Sequence, residues 1–315
     1  MTTKFKILLA RPRGFCAGVV RAIDIVNKAL DRYGAPVYVR HEIVHNKRVV
    51  ETLRARGAIF VNELEDIPDG AHTVFSAHGV SEAIEFEARE RGLPVIDATC
   101  PLVSKVHAEG RHHSDQGQEV IMIGHNGHPE VEGTRGRVPG GVQVVSSIED
   151  VASLKVKDPK QLAFVTQTTL SVDDTRDIIE SLRRRFPNIK GPDLKDICYA
   201  TQNRQQSVRD LSHQVDLLLV VGAQNSSNSN RLKEIGTEMK VESHLIDDAD
   251  ALNLDWLNGV QTIGITAGAS APEELIEELL ERLARQGEIT VEEISDIVEN
   301  IQFKLPKVLM EPAPH

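Results

Sequence analysis

Short runs of β-branched and aliphatic residues recur along the chain, and each gives way to a polar turn and then to a stretch with apolar positions at helical spacing. The clearest are KILLA (6–10), PVYVR (36–40), TVFSA (73–77), VIDAT (95–99), EVIMIG (119–124), LAFVT (162–166), DLLLVVG (216–222) and TIGITAG (262–268). Strands alternating with helices predict an α/β fold assembled through right-handed crossovers, with largely parallel sheets.

A longer periodicity, of about 90 residues, overlies this alternation. Cys16 opens the helical run AGVVRAIDIVNKAL, Cys100 follows VIDAT and opens PLVSKVHAEG, and Cys198 follows KDI and opens YATQNRQQSVRDL. Each cysteine therefore stands at a turn into a helix. Each unit carries two further strand, turn and helix modules, whose turns are HEIVHN and SAHGVS, GHNGHPEVEG and TQTTLS, and GAQNSSNSN and TAGASAP. The repeat predicts three similar α/β units with mainly parallel sheets around a pseudo-threefold axis. The turns at the strands' carboxyl ends, where such sheets bind ligands, then face one central cavity.

The units are placed at 18–100, 101–196, and 197–286 together with 1–17, so that the strand at 6–10 completes the third sheet. The tail, 287–315, contains VEEISDIVENIQFKLPKVL and is expected to pack back as a further strand or extended segment. Its end, MEPAPH, is expected to be disordered. Gly110 interrupts the helical stretch after Cys100 and bears on the length of that helix.

Composition narrows the function. A chain of 315 residues has room for two or three compact units, and its 40% hydrophobic and 26% charged content is that of a globular protein. No apolar run approaches the ~20 residues of a membrane span, and MTTKFKILLARPRG has too short an apolar stretch for a signal peptide, so the chain is read as cytoplasmic. A net charge of -11 and a pI near 5.6 argue against a broad nucleic-acid footprint. Three cysteines are an odd set in a reducing compartment, which moves metal binding or catalysis ahead of a disulfide framework.

The cysteines are too far apart for a zinc finger or a local ferredoxin motif. Their equivalence within the repeat is what groups them. Three thiolates at helix starts near one axis would hold a cubane cluster and leave one iron without a protein ligand. Two competing readings are three buried packing cysteines and a Cys3His zinc site. The surrounding turns are rich in phosphate-binding groups. Ser226, Ser227, Asn228 and Ser270 offer hydroxyl, amide and backbone donors at helix starts, although for any single serine plain capping is the ordinary role. His45, His78 and His128 lie in VHN, AHG and GHP turns, from which each reaches a phosphate oxygen. Glu130, two residues beyond His128, is placed to donate or relay a proton, its ordinary role being favourable charge at a helix start. Thr168 in TQTT is placed to pass that proton or to hold a substrate hydroxyl, where a cap is the usual explanation. No Walker-type loop is present, and GFCAGV does not fit the dinucleotide fingerprint, so a bound nicotinamide cofactor is not expected.

Long motifs carry a family resemblance: RPRGFCAGV, YVRHEIVHN, FSAHGVS, DATCPLVSKVH, IGHNGHPEVEGT, TQTTLSVDDT, DICYATQNRQ, VVGAQNSSNSNRL and GITAGASAP, running from about residue 6 to ENIQFKLP near 305. In these the chain closely resembles the 4-hydroxy-3-methylbut-2-enyl diphosphate reductase family, the IspH or LytB type. The resemblance implies the last step of the methylerythritol phosphate route, in which an allylic hydroxyl is removed reductively to give isopentenyl and dimethylallyl diphosphates. It further implies a [4Fe–4S] cluster on Cys16, Cys100 and Cys198 whose unique iron meets the substrate's C4 oxygen. His45, His78, His128, Ser226, Ser227, Asn228 and Ser270 fall on the family's diphosphate-binding positions, Glu130 on its proton donor and Thr168 on a substrate-contacting hydroxyl. Electrons would come from a separate ferredoxin or flavodoxin fed by its reductase. Two alternatives stay open at the level of sequence: a non-redox iron–sulfur hydratase or dehydratase, and a zinc protein or phospholigand-binding module without catalysis.

Overall fold

Strand and helix alternate through the described residues, 4–294 and 297–310, of the computed structural model. From the N-terminus come β1 (Lys4–Ala10), α1 (Ala17–Tyr33), β2 (Val37–Arg40), α2 (Lys47–Ala55), β3 (Ala58–Val61), β4 (Thr73–Phe75), α3 (Glu82–Glu90) and β5 (Val95–Asp97). The chain continues through α4 (Pro101–Asp115), β6 (Glu119–Ile123), α5 (Pro129–Arg135), β7 (Val142–Val145), α6 (Ile148–Ser153), β8 (Leu162–Thr166) and α7 (Val172–Arg185). The remainder is α8 (Tyr199–Ser212), β9 (Leu217–Val221), α9 (Ser227–Glu238), β10 (Glu242–Ile246), β11 (Thr262–Ala267), α10 (Glu273–Ala284), β12 (Glu288–Ile294) and α11 (Lys307–Met310).

The strands form three parallel sheets, in the orders β3-β2-β4-β5, β7-β6-β8 and β10-β9-β11-β1-β12. The α/β class and the three mainly parallel sheets agree with the reading of the sequence. In the five-stranded sheet β1 lies between β11 and β12, with Lys6 opposite Thr262 and Phe5 opposite Ile289. Packing divides the chain into two compact units. One consists of Met1–Ala17, His45–Val49 and Tyr199–Ile301, as far as these are described, and contains the five-stranded sheet. The other consists of Gly18–Val44, Val50–Cys198 and Gln302–His315, likewise as described, and contains the other two sheets.

Parallel strands covered on both faces read as continuous apolar runs, and the cores show why. Alternate residues of one strand serve opposite faces. In the five-stranded sheet Ile7, Leu9, Leu217, Leu219, Ile263 and Ile265 pack with Leu275, Ile276, Leu279 and Leu283 of α10. Their neighbours Leu8, Leu218 and Val220 pack with Val208 and Leu211 of α8 and with Leu232 and Ile235 of α9. In the second unit Ile121, Ile123, Leu162 and Phe164 meet α7 through Ile178, Ile179 and Leu182, while Val120, Met122 and Val165 meet Val106 of α4 and Val131 of α5.

Three strands are absent from the sequence expectation: β3, β7 and β10 each form the outer edge of a sheet. β3 (AIFV) and β7 (VQVV) are only four residues long with one buried residue each, and β10 (ESHLI) mixes polar and apolar positions, as an edge strand with a partly exposed face allows. The expectation for Gly110 is also corrected. Helix α4 runs through it, and a Cβ there would lie 2.7 Å from Val138 Cγ2, so the glycine permits close packing rather than limiting the helix. Of MEPAPH, Met310 closes α11, and 311–315 lie outside the described residues.

Candidate functional site

The three cysteines occupy one structural position, repeated. Each immediately precedes a helix: Cys16 before α1, Cys100 as the N-cap of α4, and Cys198 before α8. None of the three is in a disulfide, and all are partly exposed. Their backbone amides are satisfied in the same way, by the carbonyl two residues beyond the end of a strand. The Cys16 amide donates to Ala269 O beyond β11 (3.1 Å), the Cys100 amide to Ala77 O beyond β4 (3.0 Å), and the Cys198 amide to Thr168 O beyond β8 (3.1 Å). Sequence spacing cannot express this equivalence, because each amide is held by a turn distant in sequence. Among the described residues no group of three or more His, Cys, Asp or Glu side chains is placed to hold a metal ion.

In the second unit the candidate acid is wired to Cys198. Glu130, near the start of α5, is 2% exposed. Its Oε1 accepts from the Thr168 amide at 2.7 Å, and its Oε2 is 2.9 Å from Thr168 Oγ1. Thr168 in turn offers its carbonyl to the Cys198 amide. Burial pushes the Glu130 carboxyl up to about 7, assisted by the negative charge of Asp196 and opposed by the two Thr168 hydrogen bonds. A buried carboxyl poised near neutrality has the character of a general acid.

The histidines of this unit are held beside that acid. The Glu130 amide donates to His128 Nδ1 at 3.2 Å, so this ring nitrogen is the acceptor and Nε2 is left to carry the proton and donate. The His78 and His128 rings meet edge to face with centroids 5.8 Å apart, and Ser76 Oγ lies 3.4 Å from His78 Nδ1. The turn that carries His78 depends on Gly79, at φ +80°, where a Cβ would come within 2.7 Å of His107 Cε1. His107, on the helix that begins at Cys100, thus abuts the turn that aims His78. Burial pushes its imidazole down to about 4 and keeps it neutral.

The first unit holds the other half of the set. Ser270 Oγ donates to His45 O at 2.9 Å, and Asn225 Nδ2 lies 3.4 Å from His45 Nδ1. Ser226 caps α9 by accepting from the Ser229 amide, its ordinary role, and Ser227 is the first residue of that helix. Asn228 is 4% exposed, and both polar atoms of its amide are buried without a hydrogen-bond partner. A buried, unsatisfied amide costs about 1–3 kcal/mol, which a ligand presenting both acceptor and donor would relieve. Gly268, in the turn leading to Ser270, packs against Ser229 and Asn228, so these two turns are adjacent.

Reasoning from sequence missed Asn225, His107, Gly79 and Asp196. Asp196 is buried, accepts from the Thr166 amide and from Lys105 Nζ, and raises the Glu130 carboxyl. Its signal was present: a carboxylate stands just ahead of a cysteine both in DATC and in DIC.

The chain is similar to known proteins over nearly its whole length. The profile of the LytB protein family matches residues 7–284. A 4-hydroxy-3-methylbut-2-enyl diphosphate reductase of Zymomonas mobilis is 59% identical over 304 residues, which is 96% of this chain and 89% of that protein. The second such reductase of Bradyrhizobium diazoefficiens is also 59% identical over 304 residues, covering 96% and 99% of the two chains. Among solved structures, the E-1-hydroxy-2-methyl-but-2-enyl-4-diphosphate reductase of Plasmodium falciparum superposes with a TM-score of 0.91 at 36% identity, over 98% of this chain and 97% of that one. The chain therefore belongs to the LytB family, together with the 4-hydroxy-3-methylbut-2-enyl diphosphate reductases.

Proposed function

We propose that this chain catalyses the reductive dehydroxylation of (E)-4-hydroxy-3-methylbut-2-enyl diphosphate to isopentenyl and dimethylallyl diphosphates, the last step of the methylerythritol phosphate route. The observation that carries this reading is the buried acid Glu130, hydrogen-bonded to Thr168, whose carbonyl holds the amide of Cys198. The reaction consumes two electrons and two protons, and the hydroxyl leaves as water. The names of the relatives support net reduction over the non-redox dehydratase alternative.

Cys16, Cys100 and Cys198 are the proposed ligands of a [4Fe–4S] cluster. Three partly exposed cysteines outside any disulfide, at matched helix starts, are a fitting donor set, since a helix start favours an anion and thiolate sulfur suits iron–sulfur clusters. When bound, such a cluster supplies the electrons and a Lewis acid for the allylic oxygen. The protein's own residues bind, orient and protonate. His45, His78, His128, Ser226, Ser227, Asn228 and Ser270 are the proposed diphosphate ligands; the Nε2–H of His128 and the unsatisfied amide of Asn228 are already prepared to serve. They fix the substrate's orientation so that its hydroxyl end is the reacting end. Glu130 holds the proton at its carboxyl, and the Thr168 hydroxyl, able both to accept and to donate, passes it on.

Electrons are proposed to arrive from a ferredoxin or flavodoxin-type carrier. No helix among the described residues is long and apolar enough to cross a membrane; the proposed setting is the cytoplasm. The test is turnover of the substrate by anaerobic enzyme with and without a reduced donor. Both products are expected only with the donor, and donor-independent loss of the hydroxyl would refute the redox reading. The pH dependence follows from Glu130. Its acid form is complete well below the raised value of about 7 and is lost as pH rises through it, so turnover falls on the alkaline side with one-proton slope.

A further inference from the structure

Each helix that starts behind a cysteine carries a cation about a turn and a half into its length, and each cation reaches the loop in front of a different cysteine. Arg21, on α1 behind Cys16, donates through Nη1 to Ala98 O (3.3 Å) and Thr99 O (3.1 Å), the residues just ahead of Cys100. Lys105, on α4 behind Cys100, donates to Lys195 O (3.2 Å) and to Asp196 Oδ1 (2.8 Å), just ahead of Cys198. Arg204, on α8 behind Cys198, donates through Nη2 and Nε to Gly14 O (2.7 and 3.2 Å), ahead of Cys16. The order is cyclic: the first helix serves the second cysteine, the second serves the third, and the third returns to the first.

A lone surface cation near a carbonyl is commonplace and contributes little. Arg204 is a different case, because it is 0% exposed and is the largest fully buried side chain. A charge so placed needs full compensation. It receives that from Glu299, with Nη1 and Oε1 2.9 Å apart, and from the Ala200 carbonyl. The tail segment ENIQFKLP takes part twice, since Lys304 O accepts from Arg21 Nε at 2.9 Å. Three side chains at matching places, each aimed at the carbonyls ahead of the next cysteine, form a repeated device that general packing does not require.

We propose that Arg21, Lys105 and Arg204 are positioning residues for the three cysteine loops, each fixing the carbonyls immediately ahead of a thiolate so that the loop is preorganised to hold the cluster. The inference rests on the reading of the cysteines as cluster ligands. Without its cation, a loop regains backbone freedom and its buried carbonyls lose a charge-assisted partner. The three differ in one respect. Lys105 and Arg204 each form an ion pair with a carboxylate, Asp196 or Glu299, whereas Arg21 donates its hydrogen bonds among the described residues to carbonyls and feels the Asp97 carboxylate without a hydrogen bond to it. Arg21 and Lys105 both place positive charge beside a cysteine loop, and such charge eases reduction of an anionic cluster.

The test uses anaerobically reconstituted wild type, Arg21→Gln, Lys105→Gln and Arg204→Lys, with the exposed Arg176→Gln on α7 as control. Cluster loss to a chelator is followed by bleaching, the midpoint potential by spectroscopic titration, and the apo fold by circular dichroism. Partners outside the ligand shell are worth about 10–100-fold in metal affinity, so bleaching about tenfold faster is expected for Arg21→Gln and Lys105→Gln, with wild-type behaviour for the control. The potential should move negative in Arg21→Gln and in Lys105→Gln, each of which removes a positive charge beside a cysteine loop, and stay near wild type in the charge-conserving Arg204→Lys; Arg21→Lys should restore much of both properties. Lys105 is half exposed, so Lys105→Gln loses little packing, and circular dichroism identifies the variants that fold and carry the test. Bleaching and potential equal to wild type in the folded Lys105 and Arg21 variants would overturn the inference while leaving the cysteine assignment intact. Failure of the wild type to take up iron and sulfide would instead remove the assignment on which it rests.

Discussion

Serine at position 16, 100 or 198 is expected to leave a folded protein that holds no stable cluster and has no measurable reductase activity. The substitution removes the sulfur while keeping the shape. Each cysteine is partly exposed, so little packing is lost, and serine is a favoured residue at a helix start. The backbone bonds from these amides to Ala269, Ala77 and Thr168 are untouched by the change. Loss of iron and sulfide with an unaltered far-ultraviolet spectrum is therefore the signature of a ligand. Retention of a full cluster in any of the three variants would remove that cysteine from the ligand set.

Glu130→Gln is expected to keep the cluster and cut turnover by about 10²–10⁴-fold, the usual worth of a positioned general acid. Glutamine reproduces both contacts of the acid, since its Oε1 accepts from the Thr168 amide and its Nε2 donates to Thr168 Oγ1. It carries no transferable proton. The alkaline fall in rate near pH 7 should therefore vanish along with most of the rate, while substrate affinity changes little. Loss of colour in this variant would instead make Glu130 a structural residue.

Strands buried on both faces were the most legible part of the sequence, because DLLLVVG or EVIMIG can be little else once helical periodicity takes over on either side. Of the outer strands, β10 (ESHLI) escaped notice because a strand with an exposed side has mixed composition, and β3 (AIFV) and β7 (VQVV) because four residues make too short an apolar run to stand out. Gly110 was misread because propensity describes an isolated helix, whereas here the missing side chain makes room for Val138. The proposed site residues came from repetition and long motifs, and their turns lie where the alternation placed them. What one dimension concealed was coupling across sequence distance. Ser226 alone looks like a cap and does cap, but the unsatisfied amide of Asn228 appears only when its surroundings are assembled. Likewise the influence of Asp196 on Glu130, His107 against Gly79, and the cyclic reach of Arg21, Lys105 and Arg204 depend on helices brought against loops from other parts of the repeat.

The cluster is the centre of this account, and its composition is the most direct thing to measure. Wild-type protein purified and kept without oxygen should contain iron and acid-labile sulfide in equal amounts, about four of each per chain, and be brown with a broad absorption that bleaches on reduction. Zinc in place of iron, or iron without acid-labile sulfide, would contradict it.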